Sequence, residues 1–346
     1  MLQKRAVGVL SLVLAYLFLG ACGKDSSPRS FRVTLISDVG GLGDKGFNDA
    51  GWAGCQRAAR EIPGVEAKVI QSKEQTDYVA NLRFAAERSD AVVALGFLVI
   101  DAVKQVALDY PDTPFIFVDG LIKAENVASI DFKSEEAALL AGILAAWVTQ
   151  TGKVATMPGM DIPPVEAFTA GYRAGVLCAN RTLGGKVEVR SKTIGSFNDP
   201  VKAKSLAKGL FDEGVDIIFQ LAGNSGLGVV EAVKEAPEGH YMIGVDIDQD
   251  GLAPGRVLTS VLKRMDFMVF REIRKAYEGT FTGGEYNVGL AENAMGLTEM
   301  RYTKHLIPEH ALTMMKRATE AIVAGRLVPP RTEEALTTFQ PPDLAQ

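Results

Sequence analysis

The sequence predicts an α/β protein in which two doubly wound, parallel-sheet lobes enclose a cleft. Its 346 residues are 47% hydrophobic and 23% charged, a composition typical of a soluble globular chain long enough for two domains. From Phe31 onward, short apolar runs alternate with amphipathic stretches at intervals of roughly 30 residues, the rhythm of βαβ units. Such units are more numerous than one sheet conveniently holds, which indicates two sheets.

The strand candidates are mostly continuous apolar runs, as expected for strands buried on both faces of a parallel sheet. In chain order they are Arg32 to Ser37, Ala67 to Gln71, Ala91 to Leu95, Phe115 to Val118, Val154 to Met157, Val187 to Ser191, Ile217 to Leu221 and Tyr241 to Val245. The intervening stretches have the apolar spacing of amphipathic helices. Ser134, followed by two glutamates, is a good start for an apolar helix through Trp147.

A hinge is expected where the chain passes between lobes. The strand-like run from Val127 leads through Lys133 into the long helix, so we place the first crossing there. We expect a second crossing near Asp248 to Val257, since the helix predicted over Phe267 to Tyr277 should return to the first lobe. Ligands of open α/β sheets bind beyond the carboxyl ends of the strands, here between the lobes. The predicted lobes comprise residues 31–131 with about 255–290, and residues 132–254 with about 291–346.

The N-terminus has the pattern of a cleaved signal peptide. Lys4 and Arg5 precede an apolar run, Ala6 to Phe18, that is too short to span a bilayer comfortably. Leu19-Gly20-Ala21-Cys22 resembles the bacterial lipobox, which implies cleavage before Cys22, acylation of its thiol and stable anchoring to a membrane of the cell envelope. Residues 1–21 are then a signal peptide and residues 22–30 a lipidated, flexible tether. The alternative is a secretory signal with an incidental cysteine.

Charge and residue usage argue against several functions. The formal charge is −5 and Lys/Arg-rich runs are lacking, so nothing indicates nucleic-acid binding. The three His and three Cys show no metal-site spacing and no nucleophile elbow occurs, so we expect no metal, no cofactor and no catalytic residue. Cys55 and Cys178 fall in different predicted lobes, and we expect two buried free thiols.

The first strand ends in a glycine-rich loop, Asp38 to Asp49, that is a candidate binding loop. Its glycines allow close approach of a ligand to the backbone, and the following helix offers free N–H groups. A phosphate loop is disfavoured, because the Gly-Lys-Ser/Thr ending is missing and the loop's aspartates would repel phosphate. Phe47, beside Asn48, is either a stacking platform for a flat ligand or a packing residue at the helix start.

Carboxylates follow strands at corresponding places of the two predicted lobes. Asp119 ends one strand and Asp246 ends another, so we expect them to face each other across the cleft. Ionised carboxylates accept hydrogen bonds from hydroxyls, amines and ring N–H groups, whereas the alternative is capping of a turn. Lys263 directly follows the strand-like run Leu258 to Leu262 and is the cation expected at the cleft, unless it is a solvated surface lysine.

Two phenylalanines compete for the role of a second stacking ring. Phe219 lies in a strand that leads into a glycine-rich turn containing Gly223, but strand alternation equally allows it a place in the core. Phe197, in Gly195-Ser196-Phe197-Asn198-Asp199-Pro200, is the other candidate. The sequence leaves the choice open.

Several spaced motifs occur together in one order along the chain. They are Asp44-Lys45-Gly46-Phe47-Asn48, Gly171-Tyr172-Arg173-Ala174-Gly175, Gly195 to Pro200, Ala222-Gly223 with Gly226 and Gly228, and Gly244-Val245-Asp246-Ile247-Asp248-Gln249. With the lipobox, this set resembles the basic membrane protein family of bacterial ABC-transporter substrate-binding lipoproteins, which includes purine-nucleoside receptors. Family members usually have serine where this chain has Gly46.

The resemblance implies a type I periplasmic-binding-protein fold without enzymatic activity. The implied ligand is a purine nucleoside (adenosine, guanosine or inosine), and the implied partners are ABC permease and ATPase subunits. Alternatives are a binding or sensor lipoprotein for another small solute such as a sugar, and a nucleoside hydrolase or phosphorylase. The resemblance places the base between Phe47 and a second aromatic with Asp119 on its polar edge, and the ribose against Asp246, Lys263, Asp38 and Asn48.

Overall fold

The computed structural model describes residues 30–344. The predicted signal peptide, Cys22 and all of the predicted tether except Ser30 lie outside the described residues. The described chain contains two six-stranded sheets flanked by helices, which define an N-lobe and a C-lobe. The predicted α/β class is confirmed.

The N-lobe contains the first five strands and a returning segment. Its sheet has the order β11-β5-β4-β3-β1-β2, and every neighbouring pair is parallel. Strands β3, β4 and β5 are buried along their whole length, and β3 and β4 are entirely apolar, as expected for strands covered on both faces. Its elements are β1 Phe31–Ser37, α1 Phe47–Glu61, β2 Val65–Gln71, α2 Tyr78–Ala86, β3 Ala91–Leu95, α3 Ile100–Asp109, β4 Phe115–Val118, β5 Val127–Phe132, α8 Met265–Tyr277 and β11 Gly284–Val288.

The C-lobe repeats this arrangement. Its sheet has the order β12-β10-β9-β8-β6-β7, parallel except for the antiparallel β10–β12 pair. Its elements are α4 Ser134–Val148, β6 Lys153–Pro158, α5 Pro163–Leu183, β7 Glu188–Ser191, α6 Pro200–Asp212, β8 Ile217–Leu221, α7 Gly226–Glu235, β9 Tyr241–Asp246, β10 Val257–Lys263, β12 Met295–Leu297, α9 Glu309–Val323 and α10 Glu333–Thr338.

The second crossing lies later in the chain than expected. Strand β10 pairs with β9 through Val261 and Val245, so residues 257–263 belong to the C-lobe, and the chain crosses at Arg264. The expected crossing at Asp248 to Val257 is therefore wrong. The connection from β9 to β10 contains a short 3-10 turn, Asp250–Leu252, and returns the chain to the same sheet. The apolar periodicity of a strand does not show which sheet the strand joins, so this return could not be predicted from the sequence.

The lobes are joined at one edge of the two sheets. Lys133, between β5 and α4, and Arg264, between β10 and α8, have nearly the same backbone angles (φ −75°, ψ 66° and φ −75°, ψ 52°). Their N–H groups donate to the carbonyls of Val288 (2.8 Å) and Ala294 (2.9 Å), which flank the third connection, from β11 to β12. Three crossings thus meet in one hydrogen-bonded hinge, while β2 and β7 lie at the opposite edges.

Helices α4 and α5 pack at backbone contact in the C-lobe. A Cβ added to Gly142 would lie 2.0 Å from the carbonyl oxygen of Tyr172, and one added to Gly175 would lie 2.0 Å from that of Leu139. Cys178 of α5 and Cys55 of α1 are free and buried in different lobes, as predicted. Of the helices in residues 30–344, none has the length and apolar character needed to traverse a bilayer.

Candidate functional site: an interlobe cavity

A cavity lies between the lobes at the carboxyl ends of both sheets. It encloses about 590 Å³, including the solvent at its mouth. Eight of the sequence-predicted residues line it together: Asp38, Phe47, Asn48, Asp119, Phe197, Gly223, Asp246 and Lys263. The rule that ligands bind beyond strand ends therefore locates most of this lining.

The loop after β1 holds Asp38 and Asn48 in a fixed network. Asp38 Oδ1 accepts hydrogen bonds from Gly40 N (2.7 Å) and Asn48 Nδ2 (2.8 Å), while Asn48 Oδ1 accepts from Asp38 N (3.1 Å). Asn48 Nδ2 also donates to Asp44 Oδ2 (3.0 Å). Since both ends of the Asn48 amide are engaged within the protein, Asn48 orients the Asp38 carboxylate, and Asp38 Oδ2 is the oxygen left for a ligand.

Phe47 is presented to the cavity by the first turn of α1. Its ring lies beside Gly96, where an added Cβ would be 3.6 Å from Phe47 Cε1 and 3.3 Å from Asp38 Oδ2. Gly96 has φ +96°, a conformation that disfavours other residues. Glycine at this position therefore keeps the space around the ring and the carboxylate open.

Asp119 and Asp246 occupy equivalent points of the two lobes. Asp119 directly follows β4 and Asp246 ends β9, the third strands from the hinge edge of their sheets. Both have left-handed backbones, with φ of 77° and 68°, which is costly for a residue with a Cβ. Both are buried in the cavity wall. These two residues thus place one carboxylate from each lobe at the cleft, at the cost of a strained backbone.

Lys263 supplies the positive charge among the cavity-lining residues that the structure describes. Its side chain is 2% exposed and its ammonium pairs with Asp119 Oδ1 across the lobes. The nitrogen also lies 5.0 Å from the ring centre of Phe47, 5.1 Å from that of Phe132 and 5.8 Å from that of Phe168. Burial, pairing and aromatic contacts exclude the alternative of a solvated surface lysine.

Burial changes the acid–base behaviour of two cavity carboxyls. Desolvation raises the pKa of Asp246 to about 7, an effect that Lys263 opposes and Asp119 reinforces. Desolvation also raises the pKa of Asp38 to about 6, although the hydrogen bonds from Asn48 and Gly40 oppose it. The site therefore disfavours additional negative charge, and ligand groups that donate hydrogen bonds would relieve its desolvated oxygens.

The two candidate stacking rings have different places. Phe197 lines the cavity from the loop after β7, with its ring close to the backbone of Gly159 and Gly223. Phe219 is fully buried inside the C-lobe, at ring-centre distances of 6.1 Å from Phe168 and 5.3 Å from Tyr172. Phe219 is thus a core residue outside the cavity, because its side chain points from β8 toward α5.

Sequence reasoning missed a group of apolar residues that complete the lining. The 3-10 turn Phe97–Val99 after β3 contributes Phe97 and Leu98, and the start of α5 after β6 contributes Ile162, Val165 and Phe168. The rule that ligands bind beyond strand ends also applies to β3 and β6. Gly96-Phe97, directly after the apolar run of β3, is the sequence feature that could have predicted this part of the lining.

A buried pair of glutamines connects the cavity wall to the opposite lobe. Gln249 Nε2 donates to the carbonyl of Lys45 in the N-lobe (2.7 Å), and its Oε1 accepts from Gln220 Nε2 (2.9 Å). Gln220 Oε1 in turn accepts from the N–H of Ala222, a cavity residue (3.2 Å). This link between the C-lobe wall and the Phe47 loop forms only when the lobes are close together.

Metal ligands are not clustered in the described part of the chain. Among residues 30–344, no group of three or more His, Cys, Asp or Glu side chains could hold a metal ion. The cavity is instead built from aromatic and aliphatic side chains with a few convergent polar groups, as is usual for small-molecule binding sites.

Comparisons with known proteins agree with these features. The family model for Bmp, an ABC transporter substrate-binding protein that is PnrA-like, matches residues 31–319. Basic membrane protein D of Borreliella burgdorferi is 33% identical over 293 residues, 82% of this chain and 84% of that protein. An uncharacterized lipoprotein of Pyrococcus horikoshii is 32% identical over 318 residues, 87% of this chain and 78% of that protein.

A solved structure gives the same result for the fold. The ABC transporter system solute-binding protein from Aeropyrum pernix K1 has a TM-score of 0.82 and 29% identity, and the match covers 89% of this chain and 96% of that chain. The type I periplasmic-binding-protein fold and the family resemblance inferred from the motifs are confirmed. The chain belongs to the PnrA-like (Bmp) family of ABC transporter substrate-binding proteins.

Proposed function

We propose that this protein captures a purine nucleoside between its closing lobes and delivers it to the membrane subunits of an ABC transporter. The observation that carries the proposal is that Phe47 of the N-lobe and Phe197 of the C-lobe line one cavity together with three carboxylates and a lysine. Aromatic rings provide flat apolar surfaces on which a nucleobase stacks. The carboxylates provide acceptors for the N–H groups of the base and the hydroxyls of the ribose.

The charge of the cavity favours a neutral ligand. Among the described residues that line the cavity are three carboxylates, Asp38, Asp119 and Asp246, and a single ammonium, Lys263, which already pairs with Asp119. A nucleotide would need a cluster of cations for its phosphate, and a free amino acid would need several donors for its carboxylate. A nucleoside needs neither, and its hydroxyls and amine donate to oxygens that burial has desolvated.

Closure of the lobes supports capture and delivery. The Gln249 to Lys45 hydrogen bond and the Lys263 to Asp119 ion pair both join one lobe to the other. A ligand that contacts both lobes stabilises the arrangement in which these bonds exist, and a permease can distinguish that arrangement from an open one.

The first experiment is a calorimetric screen of the purified protein against adenosine, guanosine, inosine, ribose, adenosine monophosphate and a neutral amino acid. We expect the nucleosides to bind and the monophosphate to bind at least tenfold more weakly, since its charge faces the cavity carboxylates. A sugar or an amino acid that binds while all three nucleosides fail would overturn the proposal.

Two matched phenylalanine variants test the site. Phe47→Ala should weaken nucleoside binding by roughly 5-fold to 150-fold, the cost of losing one base–aromatic stack. Phe84, whose side chain is half exposed on α2, provides the control, because Phe84→Ala removes a ring outside the cavity. Equal affinities of the two variants would contradict a stacking role for Phe47.

We also propose that the mature protein is lipidated at Cys22 and anchored to a membrane of the cell envelope, with its body outside the cytoplasm. The lipobox supports this, as do relatives that are named lipoproteins. Replacing Cys22 with serine should shift the protein from the membrane fraction to the soluble fraction of cells. Unchanged membrane association of that variant would refute the anchor.

A further inference from the structure

The C-terminal segment beyond the family match is fastened to the C-lobe. The match ends at residue 319, and the chain continues through the end of α9 and through α10. Arg181 and Arg317 donate to the carbonyls of Pro341 (2.8 Å) and Leu344 (3.1 Å), and the N–H of Glu333 donates to Glu166 (2.9 Å). These contacts stay within the C-lobe and hold the segment on its surface.

One residue of this segment reaches across the hinge. Arg331 Nη2 donates to Asp131 Oδ2 in β5 of the N-lobe at 2.6 Å, and Arg331 Nη1 lies 3.8 Å from Glu135 Oε1 in α4 of the C-lobe. Asp131 and Glu135 lie two residues before and two residues after Lys133, where the chain crosses between lobes. A single planar guanidinium thus spans carboxylates on either side of one hinge residue.

These hinge carboxylates are buried and close to the ligand cavity. The side chains of Asp131 and Glu135 are each 9% exposed, so an unpaired charge on either would be costly. Burial raises the pKa of Asp131, while the positive charges of Arg331 and Lys263 oppose the rise and Asp119 adds to it. Asp119 is itself attached to this strand, because its N–H donates to the carbonyl of Ile130 (2.9 Å).

We propose that Arg331 is a positioning residue for ligand capture, and that the C-terminal segment uses it to hold the hinge in the closed arrangement. Rotation at Lys133 changes the separation of Asp131 and Glu135, and the guanidinium binds both only over a narrow range of lobe angles. The proposal rests on the family's solute-binding activity and does not depend on which solute is bound.

The deciding measurement is the distance between lobes without ligand. Spin labels at Lys73→Cys and Lys192→Cys report on exposed positions just after β2 and β7, the strands at the edges opposite the hinge. Cys55 and Cys178 are fully buried, and a sample without the two introduced cysteines corrects for other labelling. The full chain is studied in detergent by pulsed electron paramagnetic resonance.

Arg331→Ala is compared with Arg181→Ala, which loosens the same segment without touching the hinge. We expect Arg331→Ala to enlarge the population at long distances and Arg181→Ala to match the wild type. Arg331→Lys should be intermediate, since one ammonium cannot span both carboxylates. Asp131→Asn should resemble Arg331→Ala. Ligand-free distributions of Arg331→Ala and Arg181→Ala that superimpose would overturn the proposal.

Adenosine affinity then measures the consequence for capture. Arg331→Ala should bind adenosine roughly 5-fold to 20-fold more weakly than Arg181→Ala, within the range of coupling between distant sites. An affinity within twofold of that control would refute the capture role. If the wild type binds none of adenosine, guanosine and inosine, the nucleoside proposal fails, while the ligand-free distances still decide whether Arg331 holds the hinge.

Discussion

Truncating Phe197 and Phe219 separately distinguishes the stacking ring from the core ring. Phe197 lines the cavity, so Phe197→Ala should raise the Kd for adenosine by roughly 5-fold to 150-fold, which corresponds to about 1–3 kcal/mol for a lost base–aromatic stack. Because part of the Phe197 ring faces the cavity, Phe197→Ala should lower the unfolding free energy of the unliganded protein by only about 1–2 kcal/mol. Phe219 packs fully inside the C-lobe, so Phe219→Ala should lose about 3–5 kcal/mol and leave a cavity beside Tyr172.

Both variants are titrated with adenosine by calorimetry, and their unfolding by urea is measured separately in the absence of ligand. Calorimetry is performed at low temperature, and circular dichroism gives the folded fraction by which each apparent Kd is corrected. Two results would refute the assignment. One is a corrected Kd of Phe197→Ala within twofold of the wild type, and the other is a corrected Kd of Phe219→Ala raised as far as that of Phe197→Ala.

Two further perturbations test the electrostatics of the cavity and the packing of the C-lobe. Burial raises the pKa of Asp246 to about 7 and that of Asp38 to about 6, so between about pH 4 and pH 7 these carboxyls bind more protons in the folded, unliganded protein than in the unfolded chain. Urea unfolding should therefore show stability falling as the pH rises from about 4 to 7, by at most about 1.4 kcal/mol per pH unit for each group, and Asp246→Asn should flatten that slope. An unchanged slope would contradict the raised pKa of Asp246. Gly142→Ala should lower the free energy of unfolding by about 1–3 kcal/mol, because the added Cβ would meet the Tyr172 carbonyl. The control is Gly209→Ala in α6, whose Cβ would meet no atom within 4 Å and should raise the free energy of unfolding by about 0.4–1 kcal/mol. Equal melting temperatures of these two variants would contradict the close packing of α4 and α5.

Local patterns in the sequence were sufficient for the strand-end residues of the site. Asp119 and Asp246 were found because buried parallel strands are recognisable as apolar runs and the residue after each run lies at the sheet edge where ligands bind. The same rule predicts Lys263, although the sequence places its strand on the wrong side of the crossing. The rule depends only on where a strand ends, so it tolerated that error.

The remaining residues depend on how distant elements pack, which no local pattern records. The side-chain period of a strand shows that Phe219 shares a face with its alternate neighbours, but only α5 packed on that face makes it core. The start of α5 reads as an ordinary helix beginning with Pro163, and its contribution of Phe168 to the cavity follows from the lobe angle. Arg331 is one of several charged residues in the C-terminal segment, and its contacts with Asp131 and Glu135 depend on where that segment packs against the hinge.

The matched strand orders of the two lobes show where the cavity departs from symmetry. The sheets have the same strand order, so the end of β5 corresponds to the end of β10, and Phe132 of the N-lobe corresponds to Lys263 of the C-lobe. These two residues meet, with the Lys263 nitrogen 5.1 Å from the Phe132 ring centre. Asp119 and Asp246 correspond to each other in the two lobes, but the C-lobe has Lys263 where the N-lobe has Phe132. The ammonium of Lys263 pairs with Asp119 of the N-lobe. The cavity is therefore asymmetric although it is built from two similar halves, because Lys263 of the C-lobe pairs with the carboxylate of the N-lobe.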